Sequence, residues 1–153
     1  MLTLNKNNSG LTLIELLIAT VILVVAISGI LSTFAGLLSI NENARKLSLA
    51  MTAVHGKMEE IRDSDFGTLF ATYNETNFDP SGFAPADAKG NVHIDNTDLN
   101  LLEVCVSVSW RGRSNKITGE DINLDGAFNT GEDLNSDGRL SSPAESITLM
   151  GQR

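Results

Sequence analysis

Two stretches of this chain hold residues whose types and spacing could do chemistry. The first is a tandem. Thr118-Gly119-Glu120-Asp121-Ile122-Asn123-Leu124-Asp125-Gly126 returns twelve residues later as Thr130-Gly131-Glu132-Asp133-Leu134-Asn135-Ser136-Asp137-Gly138. Each copy carries Asp-x-Asn-x-Asp-Gly. Oxygens at alternate positions of such a run can converge on one hard cation, and the glycine permits the sharp turn that convergence needs. In the first copy Asp121, Asn123 and Asp125 offer side-chain oxygens and Ala127 a backbone carbonyl. Glu132, at the twelfth position, offers a carboxylate able to bind through both oxygens. In the second copy Asp133, Asn135, Asp137 and the carbonyl of Arg139 repeat the pattern. There the twelfth position is Ala144, and Glu145 stands one residue beyond it. Such oxygen sets suit calcium better than magnesium, which keeps its waters and demands strict octahedral geometry. Asp, Asn and Gly also favour turns with no ion present. Against a bare turn, an acidic run this dense repels itself unless something neutralises it.

The second stretch turns on one carboxylate. Glu15 lies five residues after Gly10, at the mouth of the run Leu16 to Ile40, which has no charged residue. As a helix those 25 positions span about 37 Å, enough to cross a hydrocarbon core of roughly 30 Å with some tilt. A carboxylate beside hydrocarbon is costly unless it finds a partner. Small residues recur in the run at Ala19, Ala26, Gly29, Ala35 and Gly36. They let such a helix pack closely against copies of itself, although glycine is also frequent in ordinary spans.

Gly10-Leu11-Thr12-Leu13-Ile14-Glu15-Leu16, set between a short polar leader and the apolar run, resembles the processing site of type IV prepilins and type II secretion pseudopilins. Leu11 stands where that family usually has Phe. The resemblance implies that a prepilin peptidase cuts after Gly10 and methylates the new amino terminus at Leu11. It also implies that Glu15 meets the α-amine of a neighbouring subunit inside a helical filament. Residues 1–10 are then a leader that is removed, with Lys6 holding it on the cytoplasmic side. A secretory signal would place its cleavage site after the apolar region, and a plain anchor gives no reason for Glu15. The segment Ala50 to Phe66, centred on Lys57-Met58-Glu59-Glu60-Ile61-Arg62, resembles the minor pilins called type IV pilus modification proteins. The tandem motif is similar to calcium loops of the EF-hand type freed from their helices, as in dockerin-like repeats, because Asp133 follows Glu132 at once.

The elements that must position these groups follow from periodicity. After Ile40 the apolar residues Leu47, Ala50, Met51, Val54, Met58 and Ile61 recur at the spacing of one helix face. Glu42 and Lys46 form an i,i+4 pair in the favourable order. The pattern predicts one helix over 11–62, with 11–40 in the membrane or filament core and 41–62 amphipathic. Residues 63–100 read as irregular, broken by Pro80, Gly82, Pro85 and Gly90. Phe66, Leu69, Phe70, Tyr73, Phe78 and Phe83 remain to pin that stretch to a core. From Leu102 to Trp110, Leu102, Val104, Val106, Val108 and Trp110 alternate with Glu103, Cys105, Ser107 and Ser109. That is a strand whose apolar face covers the helix. Ser146 to Met150 reads as a second strand. The fold class is α+β, similar to a type IV pilin: a long N-terminal helix packed on a small antiparallel β-sheet domain over 63–153, with the acidic insert 118–145 between the two strands.

Composition excludes several functions. The net charge is −8, and loss of Lys6 leaves 10 basic against 19 acidic residues, or −9. Such a chain is a poor partner for nucleic acid phosphates. The single cysteine, Cys105, cannot form an intramolecular disulfide, and no basic residue beside it makes it a nucleophile. There are no paired histidines, no nucleophile elbow and no phosphate-cradling loop, so the chain does not read as an enzyme. The reading is a minor pilin of a type IV pilus with a calcium-stabilised distal loop. It would be held single-pass in the bacterial inner membrane, with its globular domain periplasmic, before assembling with other pilin subunits. The alternatives are a minor pseudopilin of a type II secretion system and a membrane-anchored calcium-binding module. The latter would need neither Gly10 nor Glu15.

Overall fold

The computed structural model describes residues 12–84, 86–98 and 100–152. Gly10, Leu11, the leader before them and the predicted breaker Pro85 lie outside the described residues. The first helix, α1, covers Leu13–Arg62. The chain divides into two units at Ile40. In the first, the side chains from Thr12 to Leu38 are all exposed, Val25 at 66% and Leu31 at 64% among them. This part of α1 is long and apolar enough to cross a membrane.

From Asn41 onward α1 becomes the floor of a core. Ala50, Val54, Met58 and Ile61 are buried, spaced four, four and three residues apart, so they form one stripe. Met51 and Ala53 pack beside them. Leu47, which belongs to the predicted stripe, is 37% exposed. The Glu42–Lys46 pair closes at 3.2 Å, and the Lys46 ammonium also donates to the carbonyl of Arg111 at 2.9 Å. After Arg62 comes a 3₁₀ turn, Phe66–Thr68, and a five-residue helix, α2, Leu69–Tyr73. Phe66, Leu69 and Tyr73 reach the core, whereas Phe70 is 38% exposed.

The sheet has five strands: β1 Thr76–Phe78, β2 Ala88–Asp98, β3 Leu101–Arg111, β4 Ile117–Thr118 and β5 Ala144–Gly151. The order is β1-β2-β3, with both β4 and β5 paired to the far side of β3, and every pairing is antiparallel. β2 corrects the expectation that 63–100 is irregular. Ala88, Gly90, Val92 and Ile94 do alternate with Lys89, Asn91, His93 and Asp95, but glycine and alanine make a weak strand signal. Gly90 is required by its cross-strand partner Phe78, since a Cβ there would lie 2.3 Å from the phenyl ring. The two predicted strands are β3 and β5, and they pair from Leu101↔Gly151 to Val108↔Ala144.

Val92, Ile94, Val104, Val106 and Val108 meet the α1 stripe to form the core. The opposite face of β3 departs from the simple alternation. Cys105, Ser107 and Ser109 are buried as well, at 2–3% exposure. The cover is the acidic insert. The Ser107 hydroxyl donates to the carbonyl of Leu140 at 2.6 Å, and the Asn91 amide donates to the carbonyl of Gly126 at 2.7 Å. A Cβ on Gly119 would lie 2.1 Å from the Ser109 hydroxyl, so the chain enters the insert in contact with the sheet. The sheet is therefore sandwiched, with helix on one side and loops on the other.

The α1 stripe should dominate the stability of this unit. Ile61→Ala, at a fully buried position, is expected to cost about 2–5 kcal/mol. Thermal or urea unfolding of the detergent-solubilised chain, followed at Trp110, measures it.

Candidate metal centre in the insert

The two copies of the repeat have folded alike. Leu124 and Ser136, twelve residues apart, are left-handed at φ +60° and +61°, and Gly126 and Gly138 follow at +75° and +81°. Non-glycine residues adopt such φ values rarely, so the same strain at both positions reflects the same local demand. That demand is a ring of backbone N–H groups around an aspartate. In the first loop Asp121 accepts from the N–H of Asp125 at 3.2 Å and of Gly126 at 2.8 Å. In the second, Asp133 accepts from Asp137 at 3.1 Å and Gly138 at 3.0 Å. Asn123 and Asn135 each accept from the residue two positions on, and Asp125 and Asp137 accept from Ala127 and Arg139 in turn. Gly126 is irreplaceable for a second reason: a Cβ there would sit 2.4 Å from Cβ of Asn77.

The closing carboxylates differ between the loops. Glu132, 2% exposed, receives the N–H of Asn129 at 3.2 Å on Oε2, its sole donor among the described residues. Glu145 receives the N–H of Ser142 at 3.3 Å in the same manner, yet it lies on β5 opposite Ser107. The third carboxylate beside Asp133 and Asp137 is instead Glu120. An oxygen from each of these three lies within 4.8 Å of the others. Glu120 stands outside the ligand positions of the motif. Its signal is present in the sequence all the same, since the repeat places Glu120 and Glu132 at equivalent positions. Glu120 Oε1 accepts from Leu134 at 3.1 Å and Asn135 at 3.2 Å, and Oε2 accepts from Ser141 at 2.8 Å.

Charge is distributed unequally. Arg139 donates from Nε to Asp137 at 3.2 Å and from Nη1 to Glu103 on β3 at 2.7 Å. Among the described residues no Lys, Arg or His pairs with Glu120, Asp121 or Glu132, although their exposures are 7%, 2% and 2%. Buried carboxylates without a cation are costly. Burial pushes the Asp121 carboxyl above its ordinary range, and the nearby charge of Glu132 pushes it further. Asp125 lies at the surface, where the Ala127 N–H and the side-chain amides of Asn129 and Asn123 hold its carboxyl below the ordinary range. The first loop thus carries hard oxygen donors, unbalanced negative charge and a backbone already folded around its leading aspartate. Among the described residues the carboxylates that converge within 4.8 Å are nonetheless Glu120, Asp133 and Asp137 of the second loop, and not Asp121, Asp125 and Glu132.

Cys105 lies under this cover, buried on β3, where desolvation pushes its thiol up to about 12. At the other end of the chain, Glu15 sits in the first turn of α1, its N–H 3.3 Å from the Thr12 hydroxyl.

Residues 5–35, which take in Gly10, Leu11 and Glu15, match a family model described as the prokaryotic N-terminal methylation motif. That match supports a type IV pilin-like family. Comparison with curated proteins and with solved structures returns no match.

The Asp121–Glu132 repulsion has a measurable consequence. A carboxyl raised in the folded state favours folding at low pH, and that contribution is lost as pH rises from about 3.9 through the raised value. In chelator, Glu132→Gln should therefore melt higher than wild type near pH 7, and the gap should close toward pH 4. Melting curves across that range check the sign.

Proposed function

We propose that this chain is a structural subunit of a type IV pilus, a minor pilin. Its α1 spans the inner membrane before assembly and enters the filament core afterward, and its sheet domain lies on the periplasmic side. The observation that carries the reading is the match over residues 5–35 together with Glu15. A lone carboxylate at the start of an exposed apolar helix calls for an outside cation, and the new α-amine of an adjacent subunit supplies one. The apolar side chains exposed from Leu16 to Ile40 need the same company, first lipid and then neighbouring helices. A plain membrane anchor explains the second feature and not the first.

Assembly tests this. The mature chain is expected to begin at Leu11 with a methylated amine, seen by mass spectrometry of the amino-terminal peptide. Glu15→Ala should leave insertion and cleavage intact and deplete the subunit from sheared filaments at least tenfold. Filaments that retain Met1, or that carry the variant at wild-type levels, would refute the reading.

The second part of the proposal is that the first loop binds calcium. Asp121, Asn123, Asp125, the carbonyl of Ala127 and Glu132 would hold the ion. The bound cation would supply the positive charge that the buried Asp121 and Glu132 lack. A metal held by the folded state alone stabilises it by mass action, about 2.7 kcal/mol at a hundredfold excess over its dissociation constant. The chain should melt higher in calcium than in chelator, and Glu132→Ala should remove most of the difference. No shift in wild type would leave the insert a polar cover and nothing more.

A further inference from the structure

The two edges of the sheet are finished differently. At one, β1 is three residues long and runs into Asp79 and Pro80. At the other, β5 extends for eight residues, with no proline, no lysine and no break in its register along β3. Short edge strands, prolines, lysines and bulges keep a sheet from pairing with another chain, and β5 has none of them. We propose that the open edge of β5 is a docking site for an extended segment of a different protein, one that alternates apolar and basic residues.

Alternation fixes which backbone groups face this edge. The Gly112 N–H donates to the carbonyl of Lys116 at 2.7 Å, and the carbonyl of Val108 accepts from the Ser142 hydroxyl. The even-numbered residues of β3 therefore turn their backbone toward β4 and β5. Opposite them on β5 are Ser146, Thr148 and Met150, which are turned inward. Glu145, Ile147 and Leu149 are turned outward, and among the described residues their N–H and C=O groups have no partner. Such a row of donors and acceptors is what an added strand pairs with.

The two faces of the sheet beside this edge choose the occupant. On the face away from α1, Ile147 and Leu149 are exposed, and Leu101 lies diagonal to Leu149 on β3, exposed as well. Every second side chain of an added strand would extend that apolar surface. On the side of α1 there is a cleft of about 890 Å³, with room for several long side chains. It is lined by Thr148 and Met150 together with Glu59, Arg62, Asp63 and Asp65. Arg62 pairs with Glu59, whereas Asp63 and Asp65 have no cationic partner among the described residues. The remaining side chains of the added strand would enter this cleft, where lysine or arginine meets two free carboxylates.

A second copy of this chain is a poor occupant. Its β5 reads Ala-Glu-Ser-Ile-Thr-Leu-Met-Gly, with one acidic residue and no basic one, so it brings no cation to Asp63 and Asp65. The site belongs to the sheet domain alone. It needs neither the apolar half of α1 nor an ion in the insert.

The test adds synthetic peptides of alternating valine and lysine, or of alternating valine and glutamate, to the full chain in detergent. Amide hydrogen exchange is followed by NMR. The valine–lysine peptide should slow exchange at Ile147 and Leu149 several-fold, and less so at high salt, whereas the valine–glutamate peptide should not. Leu149→Pro removes an outward N–H and spares the ladder to β3. It should abolish binding and leave the melting temperature near that of wild type. Should that variant melt low, Asp63→Asn combined with Asp65→Asn, both at exposed positions, still tests the charge and should weaken the lysine peptide several-fold. Equal protection by the two peptides, no protection at millimolar lysine peptide, or unchanged affinity in the double variant would overturn the proposal. So would a chain that dimerises by itself, seen by ultracentrifugation and lost in Leu149→Pro.

Discussion

A β-sheet has two faces, and the third strand of this one is buried on both. From Val104 to Trp110 every residue of β3 is removed from solvent. One face is apolar and meets Ala50, Val54, Met58 and Ile61 of α1, a contact driven by burial of hydrocarbon. The other face carries Cys105, Ser107 and Ser109, and the two buried hydroxyls make a second, purely apolar layer a poor cover. The insert brings a backbone carbonyl to one of these hydroxyls, that of Leu140, which accepts from Ser107. The insert is thus the second layer of the domain and not a loop standing clear of it.

That double burial separates what could be read from the residues alone from what could not. Helix α1 was legible throughout, because twenty-five uncharged positions followed by a 3.6-residue stripe have no other regular reading. β3 was legible because valines alternate with polar residues, and β5 because it follows the same period. The same alternation misled on the second face, where serines read as solvated. Small hydroxyls can be buried when a carbonyl lies over them, and the carbonyl over Ser107 comes from 33 residues away. β2 was hidden by Gly90, whose missing side chain is replaced by the ring of Phe78 from another strand. Leu47 belongs to the stripe by period and not by burial, since period reports a face and not how far a sheet extends along it.

The local conformation of the motif was legible in the sequence, and the grouping of its carboxylates less so. Spacing within one loop identifies Asp121, Asn123 and Asp125, because the backbone ring around the leading aspartate is a local structure. Closure is not local. Glu120 reaches forward over a loop that begins thirteen residues later and joins Asp133 and Asp137 there. Arg139, whose position in the motif offers a carbonyl, uses its side chain as well, toward Glu103 on the sheet. A motif describes the backbone positions and omits what the side chains do once a sheet lies beneath them.

The energetics of the insert then follow from its composition. Between 118 and 145 there are seven carboxylates and one basic residue, Arg139. Apolar burial contributes little: Leu124 and Leu140 are covered, while Ile122, Phe128 and Leu134 remain exposed. The single cysteine, buried with its thiol pushed up to about 12, offers no covalent brace. Loop length is a minor obstacle, since doubling a loop costs only about 0.6 kcal/mol. Ordering the backbone is the greater obstacle, at roughly 1–2 kcal/mol per residue. What offsets it here is the set of carboxylates accepting backbone N–H groups, which are stronger than neutral hydrogen bonds because the acceptor is charged. Those bonds require ionised carboxylates, and ionised carboxylates packed this closely repel. Where Arg139 stands, the chain supplies the opposing charge itself. Around Asp121 and Glu132 no cationic side chain among the described residues pairs with them, and their donors are the backbone N–H groups of Asp125, Gly126 and Asn129.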